Sequence, residues 1–426
     1  MDFSPSPRAQ QWQARLAAFM DCYLLPYNAA WHQSVQQGVF PPHFVEDLKT
    51  LAREEGLWNL FLPALRADEP GTALNHLDYA PLAETMGRLP WAAEVFNCNA
   101  PDSGNMELLH RFADDAQRVQ WLQPLLRGEI RSAFAMSEPD VASSDPTNLQ
   151  TAVRVEGGAL VLNGRKWFIT GAAHPHCKLL IVMARNEGDD DRGHHSHSMV
   201  LVPMDTPGIE LVRNIPVVHH LAPDGHCEIL LRRVRVPRTN LLGAWGEGFA
   251  MAQARLGPGR VHHCMRTIGQ CELALELAAE RTLERQVYGR ALADQSNVQD
   301  WLAESRIEID QARLLVLRTA WLLDQGDNAS PEARAQIAAI KVVAARLQSR
   351  VVERAMQIFG AMGLSPDTPL AYFWTWGRAM HLMDGPDEVH LRTVARYEIA
   401  RARERLGAST AWFTTPEQMR AEPHLA

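Results

Sequence analysis

The sequence predicts a mostly α-helical chain with an inserted β domain. Along its 426 residues, a helical region is followed by short alternating strands and then by long helical segments. At roughly 100–200 residues per domain, this length predicts two or three domains. We therefore divide the chain into an N-terminal helical domain at 1–133, a central β domain at 134–242 and a C-terminal helical bundle domain at 243–426.

The N-terminal region carries a helical pattern from about residue 8 to 132. It is interrupted at Pro41-Pro42, Pro63, Pro70-Gly71, Pro90 and Pro101. Proline fixes φ and lacks a backbone donor, so it ends or kinks a helix. We expect helices separated at these points.

The central region changes to a period of two, which is typical of half-buried strands. Residues 151–156 alternate in this way, and Gly157-Gly158 then predicts a turn into a second strand at 160–162. Asn163-Gly164 predicts a further turn before a strand at 166–170. Further strands are expected at 179–184, 199–202 and 233–236.

The C-terminal region returns to helical periodicity from about residue 247. One helix face is indicated by apolar residues spaced seven, three, four and four apart: Leu302, Ile309, Ala312, Val316 and Ala320. Ser330 is expected to cap the next helix, with Pro331 in its first turn.

Composition excludes several classes of function. The net formal charge is −8 without a basic tail, which disfavours nucleic-acid binding. No apolar run reaches about 18 residues, so we expect no membrane span, and Met1 to Pro5 does not begin a signal peptide. Six scattered cysteines without a C-x-x-C pair indicate reduced thiols and a cytoplasmic protein.

Histidine and aspartate are concentrated between Asp189 and His197, where a metal site is conceivable. The stretch lies between two predicted strands and contains Gly193, so we interpret it as a solvated hairpin loop. We interpret His174 and His176 in the same way, and we expect no metal.

Four segments carry residues that point to chemistry. The first, 134–145, reads Phe-Ala-Met-Ser-Glu-Pro-Asp-Val-Ala-Ser-Ser-Asp, a small-residue loop that suits close approach to a ligand. The second, 167–170, reads Trp-Phe-Ile-Thr. Taken alone, the first fits a capped turn equally well, and the second fits an ordinary buried strand.

The third segment, 285–290, reads Arg-Gln-Val-Tyr-Gly-Arg, and a guanidinium suits bidentate binding of phosphate. The fourth combines Gln-Ile-Phe-Gly-Ala-Met-Gly at 357–363 with Met-Asp-Gly-Pro-Asp-Glu-Val at 383–389. Alone, Asp384 would be a turn residue in an Asp-Gly-Pro corner.

Together these segments resemble the signatures of the acyl-CoA dehydrogenase family, over roughly residues 10 to 410. The resemblance implies an N-terminal helical domain, a central β-barrel and a C-terminal four-helix bundle. It also implies FAD as cofactor, an acyl-CoA substrate, a homotetramer that shares FAD across subunits, and an electron-transferring flavoprotein as electron acceptor.

The resemblance also implies roles for individual residues. Phe168 would pack on the isoalloxazine, Thr170 would hydrogen-bond near flavin N5, and Arg285 would contact the FAD pyrophosphate of a neighbouring subunit. The implied cofactor contacts are Phe134, Met136, Ser137, Ser143, Phe168, Thr170, Arg285, Tyr288, Gln357, Gly360 and Gly385. The chain departs from the family pattern at Tyr288 (usually Phe), Ser296 (often Gln) and Ala361 (usually Gly).

The implied catalytic base is Asp384, where most relatives have Glu. The α-proton of a thioester is weakly acidic, so its removal needs a base placed against it. Aspartate reaches about 1.5 Å less far than glutamate. A few relatives carry the base on an earlier helix directly before a recurrent arginine; here that arginine is Arg260 and Gly259 precedes it, so this alternative is absent.

A narrower resemblance extends over 257–266, 384–390 and 96–105. It is to a subgroup with Asp as base, some members fused to a kinase-like domain, implicated in catabolism of 4-hydroxyacyl-CoAs through 4-phosphoacyl-CoAs. A separately encoded kinase would then supply the substrate. The predicted substrate-binding residues are Ser144, Arg255, Arg260, His262 and His263, with His262 and Arg266 expected on one helix face. The alternative interpretation is that some of these residues contact CoA, FAD or nearby glutamates.

Two other functions fit the same fold. One is a non-catalytic DNA-binding flavoprotein of the alkylation response, although the tail after residue 403 balances Arg405 and Arg420 against Glu404, Glu417 and Glu422. The other is an acyl-CoA oxidase, which differs in solvent access to the flavin.

Overall fold

The N-terminal third of the chain is helical. The computed structural model describes residues 3–188, 193–326 and 330–417. Ser6 caps the first helix by accepting a hydrogen bond from the Ala9 amide at 3.1 Å. The helices of this region are α1 Pro7–Phe19, α2 Asn28–Gln36, α3 Phe44–Glu54, α4 His76–Gly87, α5 Ala92–Val95, α6 Asp102–Phe112, α7 Asp115–Gln117 and α8 Gln123–Leu126.

The middle of the chain is a β sheet. Its strands are β1 Arg131–Ala135, β2 Ala152–Glu156, β3 Ala159–Thr170, β4 Cys177–Asn186, β5 His197–Pro203, β6 Ile209–Asn214, β7 His226–Pro237 and β8 Leu241–Leu242. The described pairings order it as β6-β7-β3-β2-β4-β5-β8, with β1 alongside β4. The predicted β domain is confirmed, and β4 and β5 pair antiparallel on either side of the predicted 189–197 loop. Residues 189–192 of that loop lie outside the described part of the chain.

The Gly157-Gly158 turn is confirmed, but the turn predicted at Asn163-Gly164 is wrong. Strand β3 runs through both residues, with Asn163 paired to Ala152. Its register with β7 shifts between Leu162 and Gly164. A Cβ on Gly164 would clash with Thr151, so glycine is needed for close approach inside the sheet, not for chain reversal.

The C-terminal part returns to long helices. Its elements are α9 Gly248–Glu284, a small hairpin of β9 Gln286–Val287 and β10 Arg290–Ala291, α10 Ser296–Asp324, α11 Pro331–Phe359, α12 Leu370–Met380 and α13 Asp387–Glu404. The predicted start of α11 is confirmed, because the Ser330 hydroxyl accepts from the Ala333 amide at 3.1 Å. Ile309, Ala312, Val316 and Ala320 of the predicted α10 stripe are buried.

The N-terminal and C-terminal helices meet at a close crossing of α4 and α9. A Cβ on Gly87 of α4 would overlap the Arg266 carbonyl of α9, and a Cβ on Gly269 of α9 would overlap the Glu84 carbonyl of α4. Glycine at both positions therefore lets the two backbones touch. This contact fixes the part of α9 that faces the cavity described below.

Three apolar cores hold these layers together: one under the N-terminal helices, one within the sheet and one among the C-terminal helices. In the described residues, no helix is both long enough and apolar enough to span a bilayer.

Candidate active site

A cavity of about 1580 Å³ opens where the N-terminal helices, the sheet and the C-terminal helices meet. Most of the predicted site residues line it. These are Phe134, Met136, Ser137, Ser143, Ser144, Phe168, Thr170, Arg255, Arg260, His263, Asp384 and Gly385. Segments far apart in sequence thus converge on one space.

Asp384 lies in the turn between α12 and α13, in the left-handed region with φ 55°, and Gly385 follows at φ 102°. An aspartate tolerates this backbone conformation better than most residues. Arg260 Nε donates to the Asp384 carbonyl at 2.9 Å, which fixes the main chain of the turn.

The Asp384 carboxylate lies among basic side chains. His263 Nε2 lies 3.5 Å from its Oδ2, and the side chain is 25% exposed. Burial alone would raise the pKa of Asp384, but the contact with His263 and the charges of Arg260, Arg255 and Lys341 hold it below its ordinary value. Asp384 is therefore ionised at neutral pH and able to accept a proton.

Arg255 is buried beside this carboxylate. Its Nε donates to Asn105 Oδ1 at 2.7 Å, and its guanidinium lies 4.1 Å above the Phe134 ring. Burial lowers its pKa to about 10, so it stays charged at neutral pH. Gly104 of α6 makes room for it, since a Cβ there would sit 3.4 Å from Cζ of Arg255.

His262 lies behind the cavity wall, not on it. It is 1% exposed and its ring packs edge-on to Tyr79 with 5.0 Å between centroids. Neither ring nitrogen has a hydrogen-bond partner among the described residues, and burial lowers its pKa well below 6.5. The sequence placed His262 against the substrate, whereas the structure places it in the core.

The loop predicted to approach a ligand is anchored by an ion pair. The Lys166 ammonium, fully buried, donates to Glu138 Oε1 at 2.8 Å, to the Met136 carbonyl at 2.9 Å and to the Met183 carbonyl at 2.7 Å. Glu138 also accepts from the backbone amides of Gln150 and Thr151. Glu138, the acid of the Ser-Glu-Pro motif, thus fixes the loop, and Ser137 and Ser144 of this loop line the cavity.

Phe168 and Thr170 present an aromatic ring and a hydroxyl to the cavity. Phe168 is 42% exposed with φ 51°. The Thr170 hydroxyl lies 2.9 Å from His226 Nδ1, while His226 Nε2 is buried without a partner in the described residues. An exposed ring, an oriented hydroxyl and an unpaired polar nitrogen fit a large planar cofactor with polar edges.

Four predicted cofactor residues lie outside this cavity. Tyr288 is 98% exposed on the hairpin of β9 and β10, and Arg285, Gln357 and Gly360 are also exposed. The structure therefore does not bring them to the cavity of their own chain.

A hydrogen-bonded relay of Ser349, His381 and Asp387 lies beneath the Asp384 turn. Ser349 Oγ is 2.9 Å from His381 Nε2, and His381 Nδ1 is 2.7 Å from Asp387 Oδ2. The order matches a hydrolytic triad, but none of the three lines the cavity and Ser349 lies in the middle of α11. The relay joins three helices and holds the turn.

Sequence reasoning missed His226, Glu107 and the anchoring role of Lys166. His226 is opposite Thr170 in the β3–β7 register, a signal that becomes visible once strands are paired. Glu107 on α6 carries no motif, and burial raises its pKa to about 8. Among the described residues no group of three or more His, Cys, Asp or Glu could hold a metal ion.

Three family models match the chain in succession. They describe the N-terminal, middle and C-terminal domains of acyl-CoA dehydrogenases, at residues 6–129, 133–234 and 246–398.

Individual proteins are similar over nearly the whole chain. A probable acyl-CoA dehydrogenase, FadE2 of Mycobacterium tuberculosis, is 51% identical and covers 96% of this chain and 100% of its own. Acyl-CoA dehydrogenase family member 11 of Gallus gallus is 43% identical over 95% of this chain, which spans only 52% of that protein.

Solved structures agree with these matches. An acyl-CoA dehydrogenase homologue from Mycobacterium abscessus superimposes with a TM-score of 0.88 at 46% identity, covering 93% of this chain and 99% of that one. The FAD complex of PigA shares the fold, with a TM-score of 0.82 at 23% identity, over 94% of this chain and 100% of its own.

Proposed function

Because this chain belongs to the acyl-CoA dehydrogenase family, we propose that it dehydrogenates an acyl-CoA thioester with Asp384 as the base. The observation that carries the proposal is the ionised Asp384 carboxylate in the cavity that Ser137 and Ser144 also line. When bound, FAD, the cofactor of the family, would supply the acceptor for the hydride of the β-carbon.

Asp384 accepts the α-proton in this proposal. A bound acyl chain would displace water from the quarter of the side chain that is exposed, and desolvation makes a carboxylate more basic. Arg260 holds the Asp384 carbonyl and so fixes the left-handed turn. This fixed backbone would compensate for the shorter reach of Asp compared with Glu. The residues that would hold FAD are Phe134, Met136, Ser137, Ser143, Phe168, Thr170 and Gly385 from the cavity.

The exposed residues Arg285, Tyr288, Gln357 and Gly360 would hold the FAD of a neighbouring subunit. This assignment requires a homotetramer, in which each subunit has three domains divided near residues 133 and 242. With a plain acyl-CoA as substrate, the electrons would pass to an electron-transferring flavoprotein. It is supported by their exposure on the surface, away from the cavity of their own chain.

The preferred substrate we propose is a 4-phosphoacyl-CoA, made from a 4-hydroxyacyl-CoA by a separate kinase. Support comes from charge: Arg255, Arg260 and Arg266 line the cavity together with the ionised Asp384. The ionised acids Glu94 and Glu138 also line it, but each is already paired, with Arg131 and Lys166 respectively. This cationic excess suits a dianionic phosphate, whereas a plain chain needs apolar walls.

Loss of the phosphate would break the C4–O bond, with the electron pair leaving on the phosphate. The hydride given up by the β-carbon would then take the place of the phosphate at carbon 4. Together with proton transfer to Asp384, these steps yield an enoyl thioester and inorganic phosphate without an external oxidant.

The test mixes wild-type holoenzyme and Asp384→Asn anaerobically with a panel of acyl-CoAs, recording flavin bleaching and inorganic phosphate. We expect wild type to bleach or to release phosphate, and Asp384→Asn to do neither while retaining FAD. Unchanged reaction of Asp384→Asn would remove Asp384 from the mechanism.

The same panel separates the substrates. Phosphate release from 4-phosphoacyl-CoA without an electron acceptor supports the phosphorylated substrate. Fast bleaching by plain acyl-CoA, with no preference for the phosphorylated substrate, would still support the dehydrogenase activity. It would exclude the proposed specificity for 4-phosphoacyl-CoA.

A further inference from the structure

We propose that His263 is a positioning residue: held by Arg266, it directs an N–H at Oδ2 of Asp384 and leaves Oδ1 free to take the α-proton. The inference rests on the proposed role of Asp384 as base. It assigns to His263 a function different from substrate binding.

The contact with Arg266 determines which nitrogen of His263 carries the proton. Arg266 NH2 lies 3.3 Å from His263 Nδ1, and a guanidinium has donors only. Nδ1 must therefore accept, so a neutral ring carries its single proton on Nε2. Burial, followed by the charge of Arg266, lowers the pKa of His263 to about 4, and the ring is neutral at physiological pH.

The proton-bearing nitrogen faces the base. His263 Nε2 and Asp384 Oδ2 are 3.5 Å apart, and such contacts are often long before substrate binds and then tighten. The separation needs to close by only about 0.5 Å to reach a normal hydrogen bond.

Arg266 is itself held in place. Its NH1 donates to the Cys98 carbonyl at 3.2 Å, and its backbone lies against Gly87 at the α4–α9 crossing. Since Arg260 fixes the main-chain carbonyl of Asp384, the base is held at two points, its carbonyl and one carboxylate oxygen.

A neutral donor suits this position because the base is already surrounded by cations. Arg255 and Arg260 of α9 and Lys341 of α11 all lower the pKa of Asp384. His390 of α13, whose pKa is lowered to about 4, is neutral as well. A further permanent cation would weaken the base, whereas an uncharged N–H orients it at smaller cost to its basicity.

Positioning and substrate binding predict different kinetics. Loss of a group that orients the base lowers the rate of flavin reduction at saturating substrate, because a misplacement of about an ångström can cost on the order of 100-fold. Loss of a group that binds substrate raises the Kd and leaves the saturating rate unchanged.

The experiment compares His263→Phe, which removes the N–H, with His263→Gln, which can keep a donor near the position of Nε2. His43→Phe is the matched control, since His43 is exposed and does not line the cavity. Anaerobic stopped-flow traces of flavin reduction over a range of acyl-CoA concentrations give the saturating rate and the Kd, and thermal melts report folding.

We expect His263→Phe to lose about 10- to 100-fold in saturating rate with its Kd within threefold of wild type. His263→Gln should recover most of the rate, and His43→Phe should match wild type. An unchanged saturating rate in His263→Phe, or a raised Kd without loss of rate, overturns the inference.

Arg266→Met keeps the test decisive where His263→Phe fails to fold. It retains His263 but no longer fixes which ring nitrogen carries the proton. With a plain acyl-CoA, which offers no phosphate to Arg266, a smaller loss of rate at unchanged Kd is expected, and a wild-type rate overturns the inference. Failure of the proposed function is read separately, from wild type and Asp384→Asn alone. If Asp384→Asn reacts like wild type, the role of His263 falls with it.

Discussion

At the scale of single residues, a carboxyl group of α6 is buried in an unfavourable environment. Glu107 lies under Arg255, its Oε1 buried without a hydrogen-bond partner in the described structure and 4.0 Å from His262 Nε2. Burial raises its pKa to about 8, against the opposing charges of Arg255 and Arg111. The folded protein thus keeps this carboxyl protonated near neutral pH.

The raised pKa predicts how stability depends on pH. The ordinary pKa of Glu is about 4.5, so between there and pH 8 the folded state binds a proton that the unfolded chain does not. The favourable contribution is complete below the ordinary pKa and is lost as pH rises through 8. Each unit of pKa difference corresponds to about 1.4 kcal/mol, so the effect reaches a few kcal/mol.

Glu107→Gln should remove this dependence, because the amide resembles the protonated acid and cannot ionise. We expect the variant to melt close to wild type at pH 5 and clearly higher at pH 8.5, measured by calorimetry. Glu129→Gln, on an exposed acid, serves as control and should show no such widening. Equal differences at both pH values would contradict the buried acid.

Residue types alone located part of the site and misled at other points. Asp384 was found because Asp-Gly follows the Gln-x-x-Gly segment at the family spacing. His262 was placed wrongly with respect to the cavity because the spacing of four to Arg266 indicates a shared face. The long Arg266 side chain reaches across to His263 and the Cys98 carbonyl, while the short His262 side chain stays in the core.

At the scale of elements, the turn between α12 and α13 depends on the Ser349–His381–Asp387 relay. His381 bridges a hydroxyl of α11 and a carboxylate in the first turn of α13. Asp387 also suits a helix N-terminus electrostatically. The three hydrogen-bonding groups therefore fix the ends of the segment that carries Asp384.

His381→Leu should destabilise the protein by about 1–3 kcal/mol, because it leaves polar groups of Ser349 and Asp387 without their partner. It should also slow flavin reduction, since the Asp384 turn loses its support. Urea denaturation and stopped-flow reduction measure the two effects, and Ser349→Ala, which removes one neutral contact, should cost less in both. A variant as stable and as fast as wild type would show that the relay does not support the Asp384 turn.

Secondary-structure elements were predictable where a single local sequence signal determined them. The Ser330-Pro331 start of α11 was found from local chemistry, since both residues act within one turn. Asn163-Gly164 was misread because the same dipeptide that favours a turn also occurs where two chain segments approach closely, and here the approaching residue is Thr151, directly before β2. The partner of Thr170, His226, depends on the pairing of β3 with β7, which no local pattern reveals.

At the scale of the whole molecule, the proposed assembly makes each active site from two subunits. Asp384 would come from one chain and Arg285 from its neighbour. A protein in which Arg285→Ala and Asp384→Asn subunits are co-expressed then contains some sites with both wild-type residues.

Each variant alone should be inactive or nearly so, Arg285→Ala through weak FAD retention and Asp384→Asn through loss of the base. The co-expressed mixture should regain a substantial fraction of wild-type flavin reduction, measured after purification through two different affinity tags. Activity that never exceeds the sum of the separate variants would place Arg285 in the site of its own chain or outside any site.

The two glycines at the α4–α9 crossing bear on how this protein can change through evolution. Any side chain at Gly87 or Gly269 would force the helices apart, and His263 and Arg266 would move with α9. Substitutions in the other walls of the cavity can therefore change the substrate, whereas both glycines must be kept for α9 to stay at this distance from α4.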